Sequence, residues 1–158
     1  MLTNGMRWLQ TSPVDGSRSI ILLRVMAGGV FFWEGALKFV YANQGVGRFI
    51  KLGFPEGVAH IVGVYELIGG LALIIGAYTR WTAIPFILEM LVAMAVTKIG
   101  LYFGTSPLPL PPSPPQVGIW AVLHEIRSEY AQLLTVAFIA INGAGKWSVD
   151  AWRAQAKR

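Results

Sequence analysis

The chain has 158 residues, of which 54% are hydrophobic and 13% charged, with a net charge of +5 and no cysteine. So apolar a composition, with a mean hydropathy of +0.55, argues against a disordered chain and against an ordinary soluble domain. The lack of cysteine excludes disulfides, thiol redox chemistry, thiolate metal sites and cysteine-ligated iron–sulfur clusters.

Residues 1–18 are mostly polar and give no cleavable signal, because the first apolar run is too long for an h-region and ends without a small-residue cleavage pattern. The first apolar run should therefore stay in the mature protein. Four such runs follow one another, at 19–40, 57–78, 81–103 and about 126–145. A hydrocarbon core about 30 Å thick needs roughly 20 helical residues, and each run meets that length. The expected fold is all-α, an integral membrane four-helix bundle forming one domain over 1–158. Tyr41, Tyr78, Trp81, Tyr102, Trp120, Tyr130 and Trp147 lie near run ends, where amphipathic rings sit among headgroups.

The joint between the second and third runs is very short, with Thr79 and Arg80 between Tyr78 and Trp81, so these spans must be antiparallel neighbours. Pro85 is expected in the first turn of the third span, where its missing N–H costs little. The loop 41–56 carries Gly45, Gly47, Gly53 and Pro55. In the outer loop 104–125, six of the nine residues from Pro107 to Pro115 are proline, which predicts an extended polyproline II segment serving as a spacer, a lid or a docking strip for a partner. The last residues, 151–158, read as a frayed basic tail.

With four spans, Arg7, Arg18, Arg80, Lys146, Arg153, Lys157 and Arg158 fall on one side, and Arg48, Lys51 and Arg127 on the other. The positive-inside rule then places both termini in the cytoplasm, with the chain in the cytoplasmic (inner) membrane. This topology, with attraction to anionic headgroups, accounts for the positive charge without nucleic acid. His60 and His124 are too far apart for a local metal motif, and no metal site is expected.

Charged groups within spans usually face a bundle interior, pair or snorkel, because each costs about 2.5–3.5 kcal/mol in hydrocarbon. At about 100° per residue, Glu34 and Lys38 are about 40° apart on the first span, Arg24 lies close to both, and Gly28 and Gly35 share or adjoin that sector. This is a polar, small-residue face that a neighbouring helix can approach closely. On the second span Gly63, Gly69 and Gly70 surround Glu66. On the fourth, Glu129, Gln132, Val136, Ala140 and Gly143 share one sector. Three spans are thus expected to aim a carboxylate inward.

By depth, Glu34, Lys38, Glu66, Lys98 and Glu129 form an expected outer-half cluster, whose charges balance if one carboxyl keeps its proton. The plainer reading of these residues is a set of buried ion pairs fixing helix register. Arg24 and Glu89 fall in the inner half. Glu89 and Lys98 lie on opposite faces of the third span, so Lys98 is expected to snorkel, and Glu89 to pair with Arg24 or to contact another subunit.

The order of motifs resembles the DoxX family of small membrane proteins, related to the DoxD subunit of thiosulfate:quinone oxidoreductase. The matching elements are Arg24, Gly35 and Lys38; Gly53-Phe54-Pro55; Glu66-Leu67-Ile68-Gly69-Gly70; Gly76 through Thr79-Arg80; Glu129; and Gly143 to Asp150. They span nearly the whole chain. Lys98 stands where many relatives have a histidine, and the proline-rich insertion is longer than usual. The resemblance implies a four-helix membrane bundle often associated with redox partners and sometimes with quinone.

Helix-lined apolar pockets with a few polar groups suit a quinone. The expected function is therefore an integral-membrane subunit of an electron-transfer or oxidoreductase complex, with Glu34, Lys38, Glu66 and Glu129 as the quinone-binding or buried polar cluster. Arg24, Glu89 and Arg80 are expected as structural ion pairs or subunit contacts. A subunit that only packs on the rim of a larger membrane complex is the main alternative. A small transporter or proton path is the weaker one, since no inverted repeat or broken helix is visible. No residue can carry electrons over a distance, so the chain is not expected to be an enzyme by itself, and any redox centre must come from a partner or a diffusible cofactor.

Overall fold

The computed structural model of the protein describes Trp8, Pro13 and residues 16–156. Arg7, Lys157 and Arg158, counted above on the basic side, lie outside the described residues. Seven helices are seen among those residues: α1 (Ile20–Val40), α2 (Val46–Lys51), α3 (Glu56–Ile75), α4 (Thr79–Phe103), α5 (Ile119–Glu125), α6 (Arg127–Asn142) and α7 (Val149–Ala156). No strand occurs among them. Three helices, α1, α3 and α4, are long and apolar enough to cross a membrane.

The expected fourth span is corrected. In place of one run over 126–145 there is a 16-residue α6, preceded by the seven-residue α5. At about 1.5 Å per residue α6 is roughly 24 Å long, shorter than the three long helices, yet it still returns the chain along α4 to the level of Arg24 near the start of α1, which meets Trp147 O. Its start is polar, with Arg127, Ser128 and Glu129, and it stops at Gly143, whose φ of 76° a residue with a Cβ adopts only under strain. Ile126 links the two helices without a loop, its N–H donating to Val122 O at 2.9 Å and its carbonyl accepting Tyr130 N at 2.8 Å.

Helix α3 ends in a left-handed Gly76, after which Ala77 N reaches back to Ala72 O at 2.9 Å. This closure reverses the chain within three residues and makes α3 and α4 antiparallel. Because α4 begins at Thr79 and not at 81, Pro85 lies in the second turn and not the first.

Helices α1 and α3 form the closest pair. Gly28 and Gly35 on α1 meet Gly70 and Gly63 on α3, so that a Cβ at Gly28 would stand 2.5 Å from Gly70 O, and one at Gly35 2.8 Å from Gly63 O. Both glycine pairs are seven residues apart, and in an antiparallel arrangement that spacing keeps small residues along one seam. Helices α4 and α6 form the second pair, and contacts of α1 with α6 and α3 with α4 close the ring. Its core holds Ala27, Phe31, Leu73, Ala83, Phe86, Met90, Val136, Ile139 and Ala140. Phe31 stacks on Phe86 with ring centroids 3.7 Å apart, and Gly69 leaves room for that ring. Leu22, Ile61, Ile68, Leu88, Ile99 and Ile141 point outward and are exposed, as expected of faces solvated by lipid.

The expected frayed tail is also corrected. Residues 149–156 form α7, whose first turn is capped by Ser148 Oγ accepting Ala151 N at 3.1 Å, and Ala151 is buried.

Candidate functional site

The charges of the three long helices collect at mid-depth through the register of the α3–α4 hairpin. Glu66 lies nine residues before Ile75, and Glu89 ten residues after Thr79. Both are therefore about 14–15 Å from the joint and stand at one level. The Glu89 carboxyl lies against that of Glu66. From α1, the long side chain of Lys38 reaches down to Glu66, its Nζ donating to Oε1 at 2.7 Å and lying 2.6 Å from Oε2. Glu66 is 2% exposed, so this pair is almost wholly removed from solvent. The close approach of Gly35 to the Glu66 Cβ is what lets the two backbones stand near enough for the pair to form.

Glu34 contradicts its expected inward orientation, because it is exposed. It still lies within electrostatic range of Glu89. Its sector leaves the buried stripe of Arg24, Ala27, Gly28, Phe31 and Gly35, so the carboxylate stands at the rim of the charge centre. Glu129 joins neither Glu66 nor Lys38. It pairs with Lys98 at 3.1 Å, across the α4–α6 seam. The single cluster expected from depth is thus two: a mid-depth centre of Lys38, Glu66 and Glu89 with Glu34 beside it, and a Lys98–Glu129 pair nearer the bundle end away from the α3–α4 joint, the outer end in the expected topology. Lys98, expected to snorkel, is held by that pair.

The expected pairing of Arg24 with Glu89 is not formed, because the C-terminal segment takes Arg24. Its Nη2 donates to Trp147 O at 2.5 Å, Asp150 lies within electrostatic reach, and Arg24 is 1% exposed, with Nε and Nη1 making no hydrogen bond. Arg80 is tied to the same end. Its Nε donates to Ala140 O and its Nη2 to Ile141 O, each at 2.8 Å, while Nη1 donates to Trp8 O at 2.6 Å. The Ala140 and Ile141 carbonyls belong to the last turn of α6, where a cation is also favoured by the helix dipole.

Sequence reasoning named Asp150 only as the end of a motif and gave it no role; it caps α4. Its carboxylate accepts Tyr78 N at 2.9 Å, Thr79 N at 3.0 Å and Thr79 Oγ1 at 2.8 Å. A signal was present, since Ser148 followed by Asp150 reads as a helix start. The bonds to Tyr78 and Thr79 were not legible. Glu89 was misplaced for a similar reason: counting outward from the Tyr78 joint pairs it with Glu66, whereas counting around one helix only sets it opposite Lys98.

Among the described residues no group of three or more His, Asp or Glu side chains could hold a metal. His60 packs beside Phe39, with ring centroids 6.0 Å apart, and His124 Nδ1 lies 3.1 Å from Glu125 Oε1.

A glycine-sealed antiparallel helix pair, a hairpin return and a charged centre at mid-bundle define a small polytopic membrane protein. Residues 19–99 match the DoxX family model, and the chain belongs to that family. It is 32% identical to "Uncharacterized membrane protein Rv3486" of Mycobacterium tuberculosis (strain ATCC 25618 / H37Rv), over 90% of this chain and 86% of that protein. It is also 26% identical to "Putative oxidoreductase CatD" of Bacillus subtilis (strain 168), over 82% of this chain and 83% of that one. No solved structure matches the chain.

Proposed function

We propose that this protein is an integral-membrane subunit of an electron-transfer or oxidoreductase complex, with Lys38, Glu66 and Glu89 as the groups that meet a quinone headgroup. The observation that carries this reading is the mid-depth centre, where one ammonium stands against two carboxyl groups with Glu34 at its rim. An ion pair that only fixes register needs no second carboxyl group. The similarity to a protein named as an oxidoreductase supports the same reading.

The donor set fits a quinone. Lys38 Nζ carries three N–H donors and lies 2.7 Å from Oε1 and 2.6 Å from Oε2 of Glu66, so a donor remains for a carbonyl oxygen. A bound quinone supplies two-electron, two-proton carrier chemistry. Lys38 Nζ would donate to a carbonyl oxygen, and the Glu66–Glu89 carboxyl pair would hold a proton and release it as the negative charge of that oxygen grows. The Lys98–Glu129 pair would act on α4 and α6 as a register lock. Both termini are assigned to the cytoplasm on the basic residues near the α3–α4 joint and the C-terminal segment.

Solubilisation in a mild detergent, followed by quinone extraction and mass spectrometry of copurifying proteins, tests the reading. Quinone at fixed stoichiometry, lost in Glu66→Gln, together with redox proteins, is the expected result. A monodisperse, partner-free and quinone-free protein would overturn it in favour of the register-lock role alone.

A further inference from the structure

At the outer end a cavity of about 480 Å³ opens between α2, the last turns of α4 and the proline-rich segment. Its lining is unlike the apolar outer faces of the bundle. Arg48, Lys51 and Lys98 contribute cations against one carboxylate, Glu125, and Leu101, Leu108 and Leu110 supply an apolar wall. Lys98 is paired with Glu129, and Glu125 with His124. Arg48 reaches only the neutral amide of Gln44, at 3.4 Å. No carboxylate among the described residues is within ion-pair distance of Arg48 or Lys51.

The backbone that carries these two cations is fixed and is not a loose loop. They stand at i and i+3 on α2, so they share a face. The start of α2 is fixed by Gly45, which packs so closely on the backbone of Lys38 that no side chain would fit. Its far end is closed by Leu52 N donating to Arg48 O and Phe49 O, and by Phe54 N donating to Phe49 O at 2.9 Å. The opposite wall is pinned as well. Gly118 N donates to Leu101 O at 3.1 Å, and Gln116 Nε2 to Pro111 O at 2.8 Å, so the proline run folds back over the cavity and is not the extended strip expected from composition.

The level of the cavity indicates its occupant. Tyr41, Ile50, Tyr102, Phe103 and Trp120 are all exposed at this end, an aromatic and apolar girdle of the kind that lies at the headgroup boundary. Cations without a carboxylate partner at that level are placed to meet lipid phosphates, which attract Lys and Arg electrostatically.

We infer that the cavity bounded by Arg48, Lys51 and the proline-rich segment is a binding site for a phosphate-type anion, filled by the phosphodiester headgroup of an anionic lipid whose chains run along the leucine wall. The inference is independent of the quinone reading, which concerns a different centre.

Native mass spectrometry of the full chain in mild detergent tests it, with phosphatidylglycerol, phosphatidylcholine and inorganic phosphate as separate probes. Phosphatidylglycerol should be retained in preference to phosphatidylcholine, and Arg48→Gln/Lys51→Gln should lower its retention at least about tenfold, while Arg48→Lys/Lys51→Arg keeps it. Inorganic phosphate binding that is lost in the same neutral variant, without selective retention of phosphatidylglycerol, would support the anion site but assign it to a soluble ligand. Equal retention of both lipids with no phosphate bound, or retention unchanged in a neutral variant of unaltered helicity and melting, would overturn the proposal.

Discussion

The two ends of the bundle are built on opposite principles. At the inner end nearly every charge is consumed by the protein itself: Asp150 caps α4, Arg80 ties α4 to the last turn of α6, Arg24 holds Trp147, and Arg153 lies over the Tyr78 ring with its guanidinium carbon 4.4 Å from the centroid. At the outer end two of the cations stand without a carboxylate, around a cavity. Such a contrast separates charge that holds the fold from charge left for something else. Between the two, at mid-depth, one lysine faces two carboxyl groups.

Measurements that would break or sharpen this contrast run from the middle outward. The largest effect is expected at mid-depth, where Glu66→Leu removes the carboxylate paired with the largely covered Lys38 ammonium, leaving only Glu89 to face it, and should cost about 3–5 kcal/mol. Lys38→Met placed on top of it should restore much of that loss, and thermal melts of the two single variants and the double give the coupling. A purely additive double would mean that the pair does not interact in the membrane. Next comes the inner latch. Asp150→Ala removes three hydrogen bonds from the start of α4 and should cost about 2–3 kcal/mol, read by the same melts and by faster hydrogen exchange at Tyr78 and Thr79.

Smaller still is the α1–α3 seam at Gly63, where an added Cβ meets the Phe39 ring at 2.8 Å and not a backbone. That ring is exposed and can swing aside, so Gly63→Ala should cost less than about 1 kcal/mol. Gly70→Ala, which would meet Gly28 O at 2.6 Å, should cost about 2–3 kcal/mol. If the two glycine variants melt alike, the seam is not held by backbone approach. The smallest change is expected at the outer cavity, where Arg48→Gln and Lys51→Gln should each leave melting within about 0.5 kcal/mol of the parent. A loss there as large as that of Asp150→Ala would erase the difference between the two ends.

Hydropathy and length by themselves marked four membrane-length runs, of which three are helices of that length, their antiparallel order across the tight joint at Tyr78, and a small-residue face around Gly28, Gly35, Gly63 and Gly70, because these depend on local composition and on periodicity along one chain. The resemblance to the DoxX family was equally legible, from motifs spread along the sequence. What only the tertiary structure decided was which charges meet. Angular position on a single helix put Glu89 opposite Lys98 and Glu34 inward, yet partners are set by the level at which neighbouring helices present them and by how closely their backbones approach. The hairpin brought Glu89 to Glu66, the glycine seam let Lys38 reach the same carboxylate, and Glu34 was left at the rim. The C-terminal segment was least legible of all, since Arg24 and the start of α4 find their partners in Trp147 and Asp150, more than 70 residues away in the chain. Contacts of that separation leave no periodic trace in the sequence.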